Sequence, residues 1–431
     1  MSEDVLAVPG AAVQEAQQTR PDPGPSVLRD CADAEAYVAS VCFKHGPPRL
    51  TGVELEWLLR ARSLPDSRPG VAALRDALGQ HTPVSLDPHS PALPLPGGST
   101  VTVEPGGQVE LASPPAETIA ALVHTTSTDA AVLHGLLAAH GIDAIPLAAD
   151  PERPPVRVLE LPRYAAMEQV FDRHGPHGRA GMCSTAAVQV CLDVGEAADL
   201  TLRWNTLHAL GPVLLGAFAN SARLGGRATG FKSSRWRSWQ LCDPWRSGPP
   251  PVGEADPAGA WARRVLNTPV LCIRGGSRWI VPDHLTFAQW IEGGGPRRPT
   301  TDDLRYHIST MFPPVRPHGH LEVRYVDMQP GRRWALPVAV LMALTSDRAT
   351  TAAALGHAEP AAALWGEATR NGLGHPELAR SALAVFELAR SRLPALGAPQ
   401  WLVDDLDEMT ERQVRLGLCP ADLPETPEEQ R

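Results

Sequence analysis

At 431 residues, with 43% hydrophobic and 20% charged side chains, the chain carries enough apolar material for a sizeable core and lies far from the composition of a disordered protein. A formal net charge of -9 argues against a nucleic-acid surface or an anionic membrane as the main partner, since both need a basic excess. The seven cysteines are widely spaced and contain no C-x-x-C pair, which argues against zinc and for reduced, buried thiols.

Residues 1–29 are rich in Pro, Gln, Glu, Ala and Asp without a sustained apolar period, and predict a disordered tail ahead of one domain spanning 30–419. They lack a charged-then-apolar secretory pattern, and no apolar run in the chain approaches the roughly 20 residues that cross a bilayer, so a cytoplasmic protein is expected. After Asp30, the spacing of Ala34, Tyr37, Val38 and Val41 predicts a helix.

A strand is predicted over Thr51–Leu59, where alternation sends Glu54 and Glu56 to one face and Val53, Leu55 and Trp57 to the other. Two rises leave the glutamates roughly 6.6 Å apart. At an effective dielectric of 20 that implies roughly 2.5 kcal/mol of repulsion, so a positive charge is expected beside them. In Gly98–Pro114, GSTVTVEPGGQVELASP, two alternating arms flank Pro105–Gly107 and predict a hairpin that brings Glu104 and Glu110 together.

A helix over 116–140 follows, then a Gly/Pro loop whose His174 and His177 are read as solvated. A third strand, Ser184–Asp193, sends Ala186, Val188, Val190 and Leu192 one way and Thr185, Gln189, Cys191 and Asp193 the other. A helix over 199–221 leads into the arginine-rich stretch 223–246. Composition leaves this stretch open between a basic surface loop and a clamp for small anions in which Arg235 offers a fork to a carboxylate.

The fourth strand, Leu321–Tyr325, projects Glu322 and Arg324 together. Helices are predicted over 334–346, 350–370, 376–394 and 399–416, so 334–417 reads as a mostly helical layer, and 420–431 as a loose terminus.

Any one acidic pair could lie on a solvated sheet face. Several carboxylate-bearing strands in a chain with ample helix to cover their apolar sides point instead to a sheet lining an open cleft. Hard oxygen donors without His or Cys spacing favour Mg²⁺ over zinc or copper. The chain has no G-x-x-x-x-G-K-[ST] loop and no strand-to-helix G-x-G-x-x-G, so a nucleotide bound here would rely on metal ions and arginines such as Arg324 for its phosphates.

The segments Val103–Leu111, Pro162–Met167, Ser184–Asp193, Phe218–Ser221, Phe312–Arg316 and Leu321–Tyr325 stand in an order that resembles plant-type glutamate-cysteine ligases, most closely the actinobacterial branch that opens ergothioneine biosynthesis; the likeness runs from about residue 30 to 420. The resemblance implies an α+β, glutamine-synthetase-like carboxylate-amine ligase fold, with an antiparallel sheet lining an open funnel and helices packed behind it. It implies L-glutamate, L-cysteine and ATP as substrates with Mg²⁺ as cofactor, and a γ-glutamyl phosphate on the way to γ-glutamylcysteine.

Position by position, it implies Glu54, Glu56, Glu104, Glu110 and Glu322 as metal ligands and Gln189 beside them. Glu322 and Arg324 would be catalytic, Arg324 at the transferring phosphoryl group. Arg235 would hold the glutamate α-carboxylate, and Arg163 and Tyr164 would lie near the substrate. A monomer or weak homodimer, without nucleic acid or membrane, is expected. Trp57-Leu-Leu59 departs from relatives that carry polar residues there, and the redox cysteines of the plant enzymes have no clear counterpart. The alternatives are a ligase of the same fold using another amine, a non-catalytic glutamate or nucleotide sensor, and a metal-dependent amidase acting without ATP.

Overall fold

Alternating apolar and polar residues form strands here because successive side chains of a strand point to opposite faces of the sheet. The computed structural model describes residues 24, 26–251, 253–275 and 279–423. Its main sheet has seven strands: β1 Thr51–Ala61, β2 Thr100–Val103, β3 Val109–Ala112, β4 Ile142–Ile145, β5 Ala187–Leu192, then β8 Val315–Pro317 and β9 Leu321–Asp327. Between β5 and β8, β6 Arg223–Leu224 and β7 Arg227–Ala228 pair as a separate two-stranded ribbon. The order in the main sheet is β2-β3-β1-β5-β9-β8, with β4 paired to the far end of β1, and every pairing is antiparallel.

The back of this sheet is apolar. Val53, Leu55 and Trp57, Val188, Val190 and Leu192, and Val323 and Tyr325 are all buried. Behind them stand Leu200–Ala217 and Ala335–Leu344, helices apolar around most of their circumference, as elements sandwiched between layers must be. Tyr325 reaches back far enough for its hydroxyl to donate to Leu207 O at 3.0 Å, and its ring meets Trp365 edge-on. Trp57 packs edge-on against His134, 4.8 Å between centroids, so the apolar Trp57–Leu59 stretch belongs to the core and not to the cleft wall.

Several boundaries differ from expectation. Val27 bridges Thr300 and Leu28 N donates to Pro299 O, so the residues just before 30 are attached to the body; 1–23 and 25 lie outside the described residues. At the other end, Pro420–Asp422 forms a 3-10 turn tied down by Lys232 to Asp422. His177–Ser184 is a helix, and the third strand starts only at Ala187; small residues such as Gly178, Gly181 and Ser184 carry no periodic signal. The helix expected over 350–370 is two, Arg348–Ala358 and Trp365–Asn371, because Pro360 has no N–H with which to continue it. Among the described residues no single helix is long and apolar enough to cross a membrane.

Candidate active site

Residues directly opposite in a ladder project to the same face, so the register decides which charges meet. Thr102 on β2 faces Glu110 on β3, and Glu110 faces Glu56 on β1. One pair further along, Glu54 faces Gln189 on β5. Cys191 then faces Glu322 on β9, and Glu322 faces Arg316 on β8. A band of acid, amide and guanidinium groups thus crosses the sheet.

Two local features complete the band. In the β2–β3 turn, Gly107 has φ +84, and a Cβ on Gly106 would sit 2.1 Å from Cys183 O; glycine is needed at both, and the tight turn sets Glu104 beside Glu110. Opposite Gln189, β9 carries two residues, Arg324 and Tyr325, where a regular ladder has one. This bulge aims Arg324 along the cleft and shifts the phase of the strand beyond it.

The resulting cleft, ≈ 900 Å³ with its open mouth, is lined on the sheet side by Glu54, Glu56, Glu104, Glu110, Gln189, Arg316 and Arg324. The opposite wall brings Arg163 and Tyr164 from the Pro162–Phe171 helix, and Arg235 and Trp239 from the Ser234–Cys242 helix, with Met167, Met182 and Phe312 supplying apolar surface. Arg163 is tethered by donating to Ser309 Oγ at 3.1 Å and Ser309 O at 2.9 Å.

The electrostatics divide the glutamates into two sets. Burial, reinforced by the neighbouring carboxylates, pushes Glu54 well above the ordinary value and Glu56 and Glu110 up to about 8; burial also raises Glu104. Glu322 goes the other way: against the burial that would raise it, Arg316 and Arg324 draw it down to about 2. Arg316 grips it with two bonds of 2.6 and 3.0 Å, Arg324 takes a third, and only 1% of Glu322 is exposed. Gln189 donates to Glu56 Oε1 at 2.8 Å and Thr102 to Glu110 Oε1 at 2.7 Å, whereas no donor among the described residues reaches the Glu54 or Glu104 carboxylates.

This donor set fits a hard divalent cation. Four glutamates with raised affinity for protons, Glu110 buried and the other three half-buried, and a Gln189 Oε1 without a partner among the described residues are oxygen ligands short of counter-charge. Among the described residues no three such groups converge on one point, so binding requires side-chain rotation. Glu322 differs from the other four: the expectation of a metal ligand meets a carboxylate already occupied by two arginines and absent from the cleft lining.

Most of the sequence-derived residues therefore meet in one place: Glu54, Glu56, Glu104, Glu110, Gln189, Arg163, Tyr164, Arg235 and Arg324 all line the cleft. The arginine-rich stretch does not act as a unit. Arg223 and Arg227 are exposed on the ribbon, Arg237 lies over Phe231, and Arg246 is fully buried in bonds to Asp243 and Thr310. Only Arg235 enters the cleft. Sequence reading quoted Phe312–Arg316 for its resemblance but gave no site role to Phe312 or to Arg316, on a three-residue strand too short for a pattern, nor to His318 and Trp239. All seven cysteines are free, six of them buried.

The profile of glutamate-cysteine ligase family 2 matches residues 50–426. Glutamate–cysteine ligase EgtA of Mycobacterium tuberculosis is 38% identical over 428 residues, covering 97% of this chain and 94% of that protein; its counterpart in Mycolicibacterium smegmatis is 36% identical over 93% and 97%. The chloroplastic glutamate–cysteine ligase of Arabidopsis thaliana is 30% identical over 56% of this chain and 48% of its own length. The crystal structure of a Francisella tularensis glutamate–cysteine ligase in complex with AMP shares the fold at a TM-score of 0.50 and 13% identity, covering 88% of this chain and 84% of that one. The chain belongs to glutamate-cysteine ligase family 2.

Proposed function

We propose that the protein joins the γ-carboxylate of L-glutamate to the amino group of L-cysteine with conversion of ATP to ADP and phosphate, the γ-glutamylcysteine so formed opening ergothioneine biosynthesis in the cytoplasm. The observation that carries this reading is the band of half-buried and buried glutamates and arginines along one wall of a single cleft, in a member of this family. A γ-carboxylate oxygen attacks the ATP γ-phosphorus and ADP leaves. The cysteine amine, its proton lost, then attacks the acyl carbon and phosphate leaves. Both steps concentrate negative charge on phosphoryl oxygens, so positioned cations do most of the work.

Arg324, with Arg316 beside it, is the cation that would face the transferring phosphoryl group, and Arg235 would take the substrate α-carboxylate. Glu54, Glu56, Glu104 and Glu110 would hold Mg²⁺, which when bound neutralises phosphate charge. Glu322 would orient Arg316 and Arg324; to serve as a metal ligand it would have to be released by both. Arg163, Tyr164 and Gln189 would define the substrate side. Met167, Met182 and Phe312 offer the small apolar recess that suits a cysteine side chain.

ADP release, measured with glutamate and in turn cysteine, serine, 2-aminobutyrate and ammonia, tests the reading. Cysteine should give the highest kcat/KM and γ-glutamylcysteine by mass. Preference for a non-thiol amine would transfer the assignment to another amine ligase, and absence of turnover with every amine would leave a sensor.

A further inference from the structure

We propose that Asp327 is a positioning residue for Arg235, holding both the backbone and the guanidinium of that arginine to one buried carboxylate so that unspent donors remain for the substrate. The inference rests on the role given above to Arg235. It begins with the β9 bulge: because two residues stand opposite Gln189, the phase shifts, and Asp327 falls opposite Ala187 on the cleft face, where alternation from Glu322 and Arg324 would have sent it to the back.

There the carboxylate, 0% exposed, collects a set of donors. Oδ2 accepts from Asn220 N at 2.9 Å and Ser221 Oγ at 2.7 Å, and Oδ1 accepts from Ser233 Oγ at 2.9 Å. Each serine passes the connection to the helix that carries Arg235. Ser221 Oγ accepts from Arg235 N at 3.2 Å, and Ser233, the N-cap, accepts from Trp236 N at 3.1 Å. The Asn220-Ser221 step thus acquires a task that the cleft lining alone does not reveal.

The guanidinium is referenced to the same group. Nη2 donates to Arg324 O at 2.8 Å, while Nη1 lies 3.8 Å from Asp327 Oδ1, close enough for the charges to attract and too far to use up a hydrogen bond. Among the described residues Nε and Nη1 consequently have no partner, although Arg235 is only 3% exposed. A buried arginine with free donors in a cleft is prepared for an anion, and it needs a fixed counter-charge because burial and Arg324 both oppose its own.

The test is steady-state kinetics on Asp327→Asn, Ser233→Ala, Arg235→Lys and the double variant Asp327→Asn/Arg235→Lys. Asp327→Asn should raise the glutamate KM roughly 10- to 100-fold while kcat and the KM values for cysteine and ATP stay within about threefold. In the Arg235→Lys background the same change should add less than about threefold, because its effect passes through the arginine. Equal rises in all three KM values, or full additivity in the double variant, would overturn the proposal. Should Asp327→Asn fail to fold, Ser233→Ala, which keeps the carboxylate, should still raise the glutamate KM severalfold, and an unchanged value would overturn it. If Arg235→Lys alone leaves the glutamate KM unaltered, the role of Arg235 itself fails, a result distinct from a silent Asp327.

Discussion

The two faces of the main sheet are made by the same strands, yet they obey opposite rules. Behind it, Val53, Leu55, Val188, Val323 and Tyr325 bury apolar surface and satisfy the single hydroxyl among them. In front, one residue away along each strand, Glu54, Glu56, Gln189 and Arg324 enclose charged and polar groups that are only partly paired. Burying unpaired carboxylates costs stability. A fold retains such a face where a ligand supplies the missing charge, so the back face should govern stability and the front face chemistry.

The sharpest way to break that division is to mutate residues on both sides of it. Glu104→Gln removes a carboxylate that no donor among the described residues reaches; ligation should fall about 10²- to 10³-fold, with the melting temperature unchanged or higher. Glu322→Gln is the exception on the front face. It leaves Arg316 and Arg324 facing each other without their carboxylate, so turnover and roughly 3–5 kcal/mol of stability should be lost together. Retention of full stability in Glu322→Gln would mean that the arginines find other partners. On the back, Trp365→Ala removes the ring stacked on Trp236 and edge-on to Tyr325, and should cost roughly 3–5 kcal/mol in urea unfolding while kcat of the folded fraction is kept.

How much of this was legible in the sequence follows from the same contrast. Alternation placed Glu54 and Glu56 together, and Pro105–Gly107 announced the hairpin that brings in Glu104 and Glu110, because both signals are local. Arg316 gave no pattern in three residues. Asp327 was hidden for a different reason: period two, extended from Glu322 and Arg324, points the wrong way past a bulge that depends on the partner strand. The fixing of Glu322 by two arginines, and the break at Pro360 that makes room for Trp365, likewise arise from three-dimensional pairing.

A smaller effect sharpens the comparison through pH. Glu56 and Glu110 are acids raised to about 8, so the folded state keeps protons that the unfolded chain releases above about 4.5. Their contribution to stability is complete below that value and is lost as pH rises through about 8. The buried His208, depressed to about 4, and His307, to about 3, have the opposite sign, but they act only below about 6.5. Between pH 6.5 and 9 the thermal midpoint of the ligand-free protein should therefore fall, and Glu56→Gln should fall less. Added Mg²⁺ should restore more stability at pH 8.5 than at pH 6, where protons occupy the same oxygens. Equal stabilisation at both values would place the cation elsewhere.

The smallest effect expected comes from Arg332→Ala, and it isolates what burial contributes. Arg332 makes two bonds of 2.7 and 2.7 Å to Asp405 and lies over the Trp401 ring, a better geometry than the 3.8 Å approach of Arg235 to Asp327. Its side chain is nevertheless 60% exposed, against 3% for Arg235. In water the pair gives up hydration and side-chain freedom for about what it gains, so the variant should lose less than about 1 kcal/mol and ligate at the normal rate. If distance governed the energetics, this variant would be the more damaging of the two; if enclosure does, the looser but buried contact at Arg235 should prove the more sensitive by about tenfold or more in glutamate KM.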